Sequence, residues 1–489
     1  MHSHFFLSEC NPRLRRSATG LVFLLILIGG IRGNCVYGEE KPASIPRPLY
    51  PLPRYDEDWS FLIDPSLRND FWDSVKFLRL STDGSVFLSL GGEIRETYER
   101  FHNTNFGLSP QDPDGYLLQR YLLHLDFHAR SHFRFFGELG ASLENGRTGG
   151  PRPVIDENKL DVHQGFLDIS FGKPQSNSSL TIRPGRQEIA LGSGRMVALR
   201  EGPNVPLGFD GIRVTLRRAA WRFDGLATRP VQSKPGVFDD LPQHDFAFWG
   251  VYATHPLRVR ASTSALDLYY LGLDRKRATY NQGSSRETRH TVGTRLLGQH
   301  RAWSYDGEAI YQFGTFGSGT ISAWRLAADN AYTLSTVRWR PRLGFAADVA
   351  SGDRDPANAD LQTFNALFQS GNYSGRAQIL GPANTIRLEP FLGLSFSEHL
   401  TFSTGWGFYW RQSINDGLYG IAGNLIVPSN GVKDRYEGSR PIAQIDWQIT
   451  RHLSAHVNGI YVFNGLFEER SVRGTSSLSY ISPWMTYRF

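Results

Sequence analysis

The residue best placed to do chemistry in this 489-residue sequence is arginine. Lysine stands at only seven positions, so arginine supplies the other 46 of the 53 basic side chains. A planar guanidinium can meet a carboxylate in two parallel hydrogen bonds and stays charged at every relevant pH. Arginines gathered around one passage would therefore concentrate anions and repel cations. Arg95, Arg120, Arg183, Arg213, Arg295, Arg340 and Arg387 sit in short segments of alternating polar and apolar residues, together with the acids Glu93 and Asp126. Arg186, Arg195 and Arg200 crowd the stretch between two such segments, among glycine and proline. These twelve residues are the candidates for an anion path. The competing reading for any single arginine is a structural ion pair with a neighbouring acid.

Catalysis has no comparable foothold. There is no phosphate-binding glycine loop and no His-Glu-x-x-His, and Gly192-Ser193-Gly194 lacks the spacing of a nucleophile elbow. His124 and His128 lie four residues apart on a strand, which separates them by ~13 Å. Asp353-x-Asp355 is not followed by the glycine and acid of a calcium loop. We therefore expect no enzyme activity, no cofactor and no metal. Scattered arginines also argue against nucleic-acid binding, which gathers them on one basic face.

The elements that must position these arginines are strands. In 401–411, Phe402, Thr404, Trp406, Phe408 and Trp410 fall on one face, while Ser403, Gly405, Gly407 and Arg411 fall on the other. In 303–313, Trp303, Tyr305, Ala309, Tyr311 and Phe313 separate from Asp306, Glu308 and Gln312. Similar segments begin near Ser89, Tyr116, Phe133, Val162, Leu180, Phe209, Trp221, Phe246, Thr263, His290, Ile321, Arg340, Thr385, Pro441, Leu453 and Ser477. That makes about 18 strands. Short links are expected near 129–132, 218–220, 255–257, 299–301, 397–399 and 450–452. Longer ones are expected at 102–115, 145–160, 186–208, 230–244, 274–287, 351–384, 412–437 and 464–476. Tight turns on one rim with long loops on the other mark a transmembrane antiparallel up-and-down β-barrel. With apolar faces toward lipid, Arg134, Glu138, Gln164, Asp168, Arg222, Asp224, Arg342 and Glu389 join the candidates inside.

Composition agrees. Hydrophobic residues make up 40% and aromatic residues 13%, so the chain can bury a core, yet it lacks repeated apolar runs of membrane-helix length. Residues 1–38 read as a signal peptide: Arg13, Arg15 and Arg16 precede a short apolar stretch, and Val36-Tyr37-Gly38 suits cleavage. Both cysteines, Cys10 and Cys35, fall inside it, so the mature chain would have no disulfide. Residues 39–86 form a proline-rich N-terminal segment, expected to pack at the periplasmic mouth or plug it, and 87–489 form the barrel. Met485, Tyr487 and the final Phe489 alternate at the chain end, similar to the signal read by the barrel-assembly machinery.

The chain resembles the alginate-export family of bacterial outer-membrane barrels. The resemblance rests on Glu57-Asp58-Trp59-Ser60-Phe61-Leu62 and Leu88-Ser89-Leu90-Gly91-Gly92-Glu93-Ile94-Arg95. Its strongest block is Arg183-Pro184-Gly185-Arg186-Gln187-Glu188, Gly192-Ser193-Gly194-Arg195, Arg200-Glu201, Pro203-Asn204 and Phe209-Asp210-Gly211-Ile212-Arg213. A second block comprises Ala350-Ser351-Gly352-Asp353-Arg354-Asp355-Pro356, Thr363-Phe364-Asn365, Tyr373-Ser374-Gly375 and Gly381-Pro382-Ala383-Asn384. The resemblance implies an 18-stranded pore exporting an anionic, alginate-like exopolysaccharide through an arginine-rich constriction. The expected partners are outer-membrane lipid and lipopolysaccharide, the polysaccharide, the assembly machinery through Phe489, and periplasmic export-complex proteins. A general anion-selective porin for small solutes is the alternative.

Overall fold

In the computed structural model, residues 50–172, 176–259, 262–371 and 375–489 are described. The expected signal peptide, 1–38, lies outside them. Eighteen strands run in chain order: β1 Val86–His102, β2 Tyr116–Ala129, β3 Phe133–Asn145, β4 Asn158–Phe171, β5 Ser178–Gln187, β6 Phe209–Arg218, β7 Trp221–Gln232, β8 Phe246–Val259 and β9 Ser262–Tyr280. They continue with β10 Gly283–His300, β11 Trp303–Phe316, β12 Gly319–Thr333, β13 Arg342–Ala350, β14 Thr385–Ser395, β15 Leu400–Arg411, β16 Tyr436–Gln448, β17 Leu453–Asn464 and β18 Leu478–Arg488. Each pairs antiparallel with the next. The cylinder closes where β18 meets β1, with Glu93 opposite Arg488 and Thr97 opposite Trp484.

Closure removes every free strand edge, which is what makes a sheet tolerable in lipid. The alternation of side chains then produces an inside-out molecule. Leu123, Phe135, Trp406, Ile445 and Met485 are exposed on the outer face, whereas Arg120, Arg289, Arg325 and Arg440 are wholly buried inside. A charge on the outer face would cost ~2–4 kcal/mol at the bilayer midplane, so inward placement follows from solvation. Phe133, Phe171, Trp303, Trp339, Phe396 and Trp447 are exposed near the short-turn ends, where an aromatic girdle meets the headgroups.

Two expected links are placed differently. The turn expected at 255–257 lies inside β8, which runs on to Val259. The long link expected at 274–287 is strand: β9 and β10 continue as a ladder to a turn at Asn281 and Gln282. Within it Arg275 stands opposite Glu287, and the register shifts between Arg275 and Ala278. The long-loop rim therefore also carries two tight turns, here and at 317–318.

The lumen is filled from both ends. At the short-turn rim, Tyr55 packs edge-on against Phe136 and Phe166, ring centroids 6.2 and 5.6 Å away. Arg54 donates to the carbonyls of Gly92 at 2.8 Å and Phe489 at 2.9 Å. From the other rim, the 188–208 and 351–384 loops fold inward and join. Ala198 N donates to Phe368 O, and Phe368 N to Met196 O, both at 2.9 Å. Ile189, Val197, Phe209, Phe248, Leu271 and Phe364 bury together where these loops meet the wall.

Candidate functional site

The candidate path is the charged inner wall with the loops crossing it. At the barrel seam, Glu93 accepts from Arg120 at 2.6 Å and from Arg488 at 2.8 Å. Around the wall, Arg134 pairs with Asp126 at 2.7 Å, Arg183 with Asp168 at 2.6 Å, and Arg213 with Asp224 at 2.9 Å. Arg295 bridges Asp306 at 2.6 Å and Asp267 at 3.1 Å. Arg325 is paired with Asp348, and Arg387 with Glu389 at 3.0 Å. Each pair lies on neighbouring strands or on one face of a strand, because inward positions recur every second residue.

The 188–208 loop spans this wall. At one end Glu201 accepts from Arg120 at 2.9 Å, and its backbone carbonyl accepts from Arg95 at 2.8 Å. Burial pushes the Glu201 carboxyl up, but Arg120 and Arg95 overcome that and hold it below the usual carboxylate range. Asn204 donates its amide to the carbonyls of Gln119, Leu143 and Asp156. Across the lumen, Arg195 donates to Asp306 at 2.9 Å and Glu308 at 3.1 Å, and also pairs with Asp329. Between loop and wall lies a cavity of about 210 Å³, lined by Ser193, Arg195, Asp329, Asp348, Gln369 and Arg387.

The N-terminal segment meets the same loop. Tyr55 Oη donates to Glu188 O at 3.2 Å, and Arg183 lies over the Tyr55 ring at 4.5 Å. Beneath it, buried Glu57 accepts from Trp59 Nε1 at 2.6 Å and Lys76 Nζ at 3.3 Å. Burial lowers the Lys76 ammonium to about 8, although Glu57 draws it upward.

Of the twelve candidates, Glu93, Arg95, Arg120, Asp126, Arg183, Arg213, Arg295 and Arg387 lie on strands facing inward, and Arg195 and Arg200 lie on the crossing loop. Arg186 holds Asp210 at 2.8 Å beside the loop's base. Arg340 departs from expectation. It stands in the 334–341 link, its backbone N–H bonded to Val337, because β13 begins only at Arg342. Arg376 and Arg440 were not singled out from sequence, and neither were the inward Arg289 and Arg325. Arg376, on the second inward loop, stacks on Trp484 at 3.9 Å, and Arg440 stacks on Tyr409 at 3.7 Å. Arg440 is at an inward strand position, so parity alone could have found it. Arg376 sits in irregular chain and carries no such signal.

A family model described as alginate export matches residues 86–477, most of the chain and all but the end of the barrel wall. The chain belongs to the alginate-export family. No curated protein matches the sequence. Among solved structures it is similar to OpdK of Pseudomonas aeruginosa with vanillate, at 12% identity and TM-score 0.53, covering 84% of this chain and 99% of that one. A BenF-like porin of Pseudomonas fluorescens Pf-5 is similar at 10% identity and TM-score 0.54, covering 82% and 98%. OccK8 (OprE) of Pseudomonas aeruginosa is similar at 14% identity and TM-score 0.52, again covering 82% and 98%. These likenesses establish the fold, and with the family they make the chain a bacterial outer-membrane pore.

Proposed function

We propose that this pore exports an anionic exopolysaccharide of the alginate type, with the short-turn rim in the periplasm and the long-loop rim outside. The observation that carries the reading is the set of inward arginines that stand outside the wall's ion pairs. Arg200 and Arg376 form no ion pair among the described residues, and none of the three guanidinium nitrogens of Arg440 has a hydrogen-bond partner there. Burial alone pulls the Arg200 guanidinium down to about 10, the mark of a cation held without a counter-charge. Such groups would draw a polyanion inward, while neighbouring acid–arginine pairs keep each site weak enough to release it. In this arrangement the N-terminal segment and the two inward loops hold the passage shut.

Export implies partners at each end. Periplasmic export-complex proteins would meet the short-turn rim, where residues 50–76 must be displaced. Lipopolysaccharide would surround the other rim, and Phe489 would present the last strand to the assembly machinery.

A second reading, an anion-selective porin for small solutes, is favoured by the cavity beside Arg195, whose volume suits one small carboxylate and not a polymer. Planar-bilayer conductance of the mature protein separates the two. Anion selectivity with block by polyuronate, and none by the monomeric uronate, is the outcome expected for export. Anion selectivity with block by the monomer alone favours the porin, and unselective conductance overturns both.

A further inference from the structure

We propose that Asp161, Asp239 and Asp240 form a calcium site at the long-loop rim, pinning the 233–245 loop to β4. One carboxylate oxygen from each lies within 4.8 Å of the others, the widest gap that oxygens at about 2.4 Å on opposite sides of one Ca²⁺ can span. Asp161 is 5% exposed at the head of β4. Its Oδ2 accepts from Asp240 N at 3.0 Å, so the loop backbone already brings the carboxylates together.

A second observation points to a ligand. Asn158, 6% exposed on the same strand, donates Nδ2 to Asp240 Oδ2 at 2.9 Å, while its own Oδ1 is buried with no partner. It lines, with Asp161, Asp240 and Arg186 but not Asp239, a cavity of about 20 Å³, enough for one water-sized occupant. A cation held by Asp240 would replace that N–H donor, and the amide turned about would offer Oδ1 as a neutral oxygen ligand. Asp239 Oδ1 is likewise buried and unpartnered.

The nearby cation does not satisfy the cluster. Arg186 is committed to Asp210 through Nε at 2.8 Å and Nη2 at 3.1 Å, and reaches Asp161 Oδ1 only at 3.4 Å. Lys234 contributes its backbone N–H, to Asp240 Oδ1, at 2.7 Å. An all-oxygen set of three carboxylates and an amide suits a hard cation of flexible coordination, with water completing the shell, and not a thiophilic metal.

Chymotrypsin supplies the readout. Phe238 is 58% exposed next to Asp239, and opening of the loop exposes the bond after it. With full-length protein in detergent, millimolar CaCl₂ is expected to slow cleavage after Phe238 about tenfold relative to EDTA. Equilibrium dialysis with radioactive calcium is expected to find one ion per chain. Asp239→Asn, which removes a charge whose buried oxygen has no partner, should keep the EDTA rate and lose both the protection and the ion. Should that variant fail to fold, judged by its heat-modifiable gel mobility, wild-type stoichiometry and protection decide alone. Equal protection by NaCl at matched ionic strength, no bound ion in wild type, or full protection in Asp239→Asn overturns the site.

Discussion

Arg95 on β1 and Arg120 on β2 stand directly opposite each other in the sheet, and Glu201 of the crossing loop lies against both, 3.5 Å from Arg95 Nη1 and 2.9 Å from Arg120 Nη2. Opposed like charges destabilise a strand pair. Here the repulsion is relieved by an acid delivered from β5–β6, so the same two arginines that would attract a polyanion hold the loop in place.

Glu201→Gln removes that counter-charge. About 3 kcal/mol of loop anchoring is expected to go, the low end of what breaking a buried pair costs, since the Glu201 side chain is 26% exposed. Faster hydrogen exchange in 188–208 and a higher anion-to-cation permeability ratio should appear together. An unchanged ratio would show that Arg95 and Arg120 do not face the conducted ions.

Tyr55→Ala tests the N-terminal segment. Emptying the slot between Phe136 and Phe166 should cost ~3–5 kcal/mol of docking, as for other buried aromatic truncations. Single-channel conductance is expected to rise, with hydrogen exchange faster in 50–76. If conductance stays the same while 50–76 comes loose, the segment does not close the pore.

Acid should tighten the outer loops. Burial raises Asp353 to about 6, pushes Asp416 up despite Thr363 and Tyr419, and lifts Glu468 well above its usual range, with Glu437 adding to it. A carboxyl whose folded pKa exceeds its unfolded value binds more protons when folded, so stability falls as pH rises from the unfolded to the folded pKa. For Asp353 that window runs from about 4 to 6. Proteolysis of 351–384 and 412–435, with a protease active at both values, should be slower at pH 5 than at pH 7. Lys76 has the opposite consequence: its lowered pKa makes docking of 50–76 strengthen as pH climbs from about 8 toward 10.5.

Deleting Phe489 should impair assembly. It removes a stack on Trp72 at 4.2 Å and two backbone bonds with Gly92. The fraction of chain reaching the heat-modifiable form is expected to drop severalfold, and Phe489→Tyr should restore it. A normal folded fraction after deletion would remove the last residue from any role in insertion.

Period-two alternation made the wall legible. It located 18 strands and assigned Glu93, Arg120 and Arg295 to the interior, because a strand's parity is a local property. The hairpin around Asn281 was not legible: Arg275, Lys276 and Arg277 read as a polar loop, yet the strands run on and Arg275 and Tyr280 close over Glu287. Arg340 was misplaced by the same ambiguity at a strand end. What escaped entirely was which groups meet across the lumen. The bonds of Arg195 to Asp306 and of Tyr55 to Glu188 join residues more than a hundred positions apart, through irregular chain in which no period survives.

The grip of Arg54 on Phe489 imposes an order of events. The carbonyl it seizes belongs to Phe489, just past β18, and its other acceptor, Gly92 on β1, is the residue to which Phe489 bonds. The seat for the N-terminal segment therefore comes into being only once β18 has met β1 and the cylinder is sealed. If that segment is the proposed plug, an unsealed barrel would stay uncorked, and only a sealed one could shut itself.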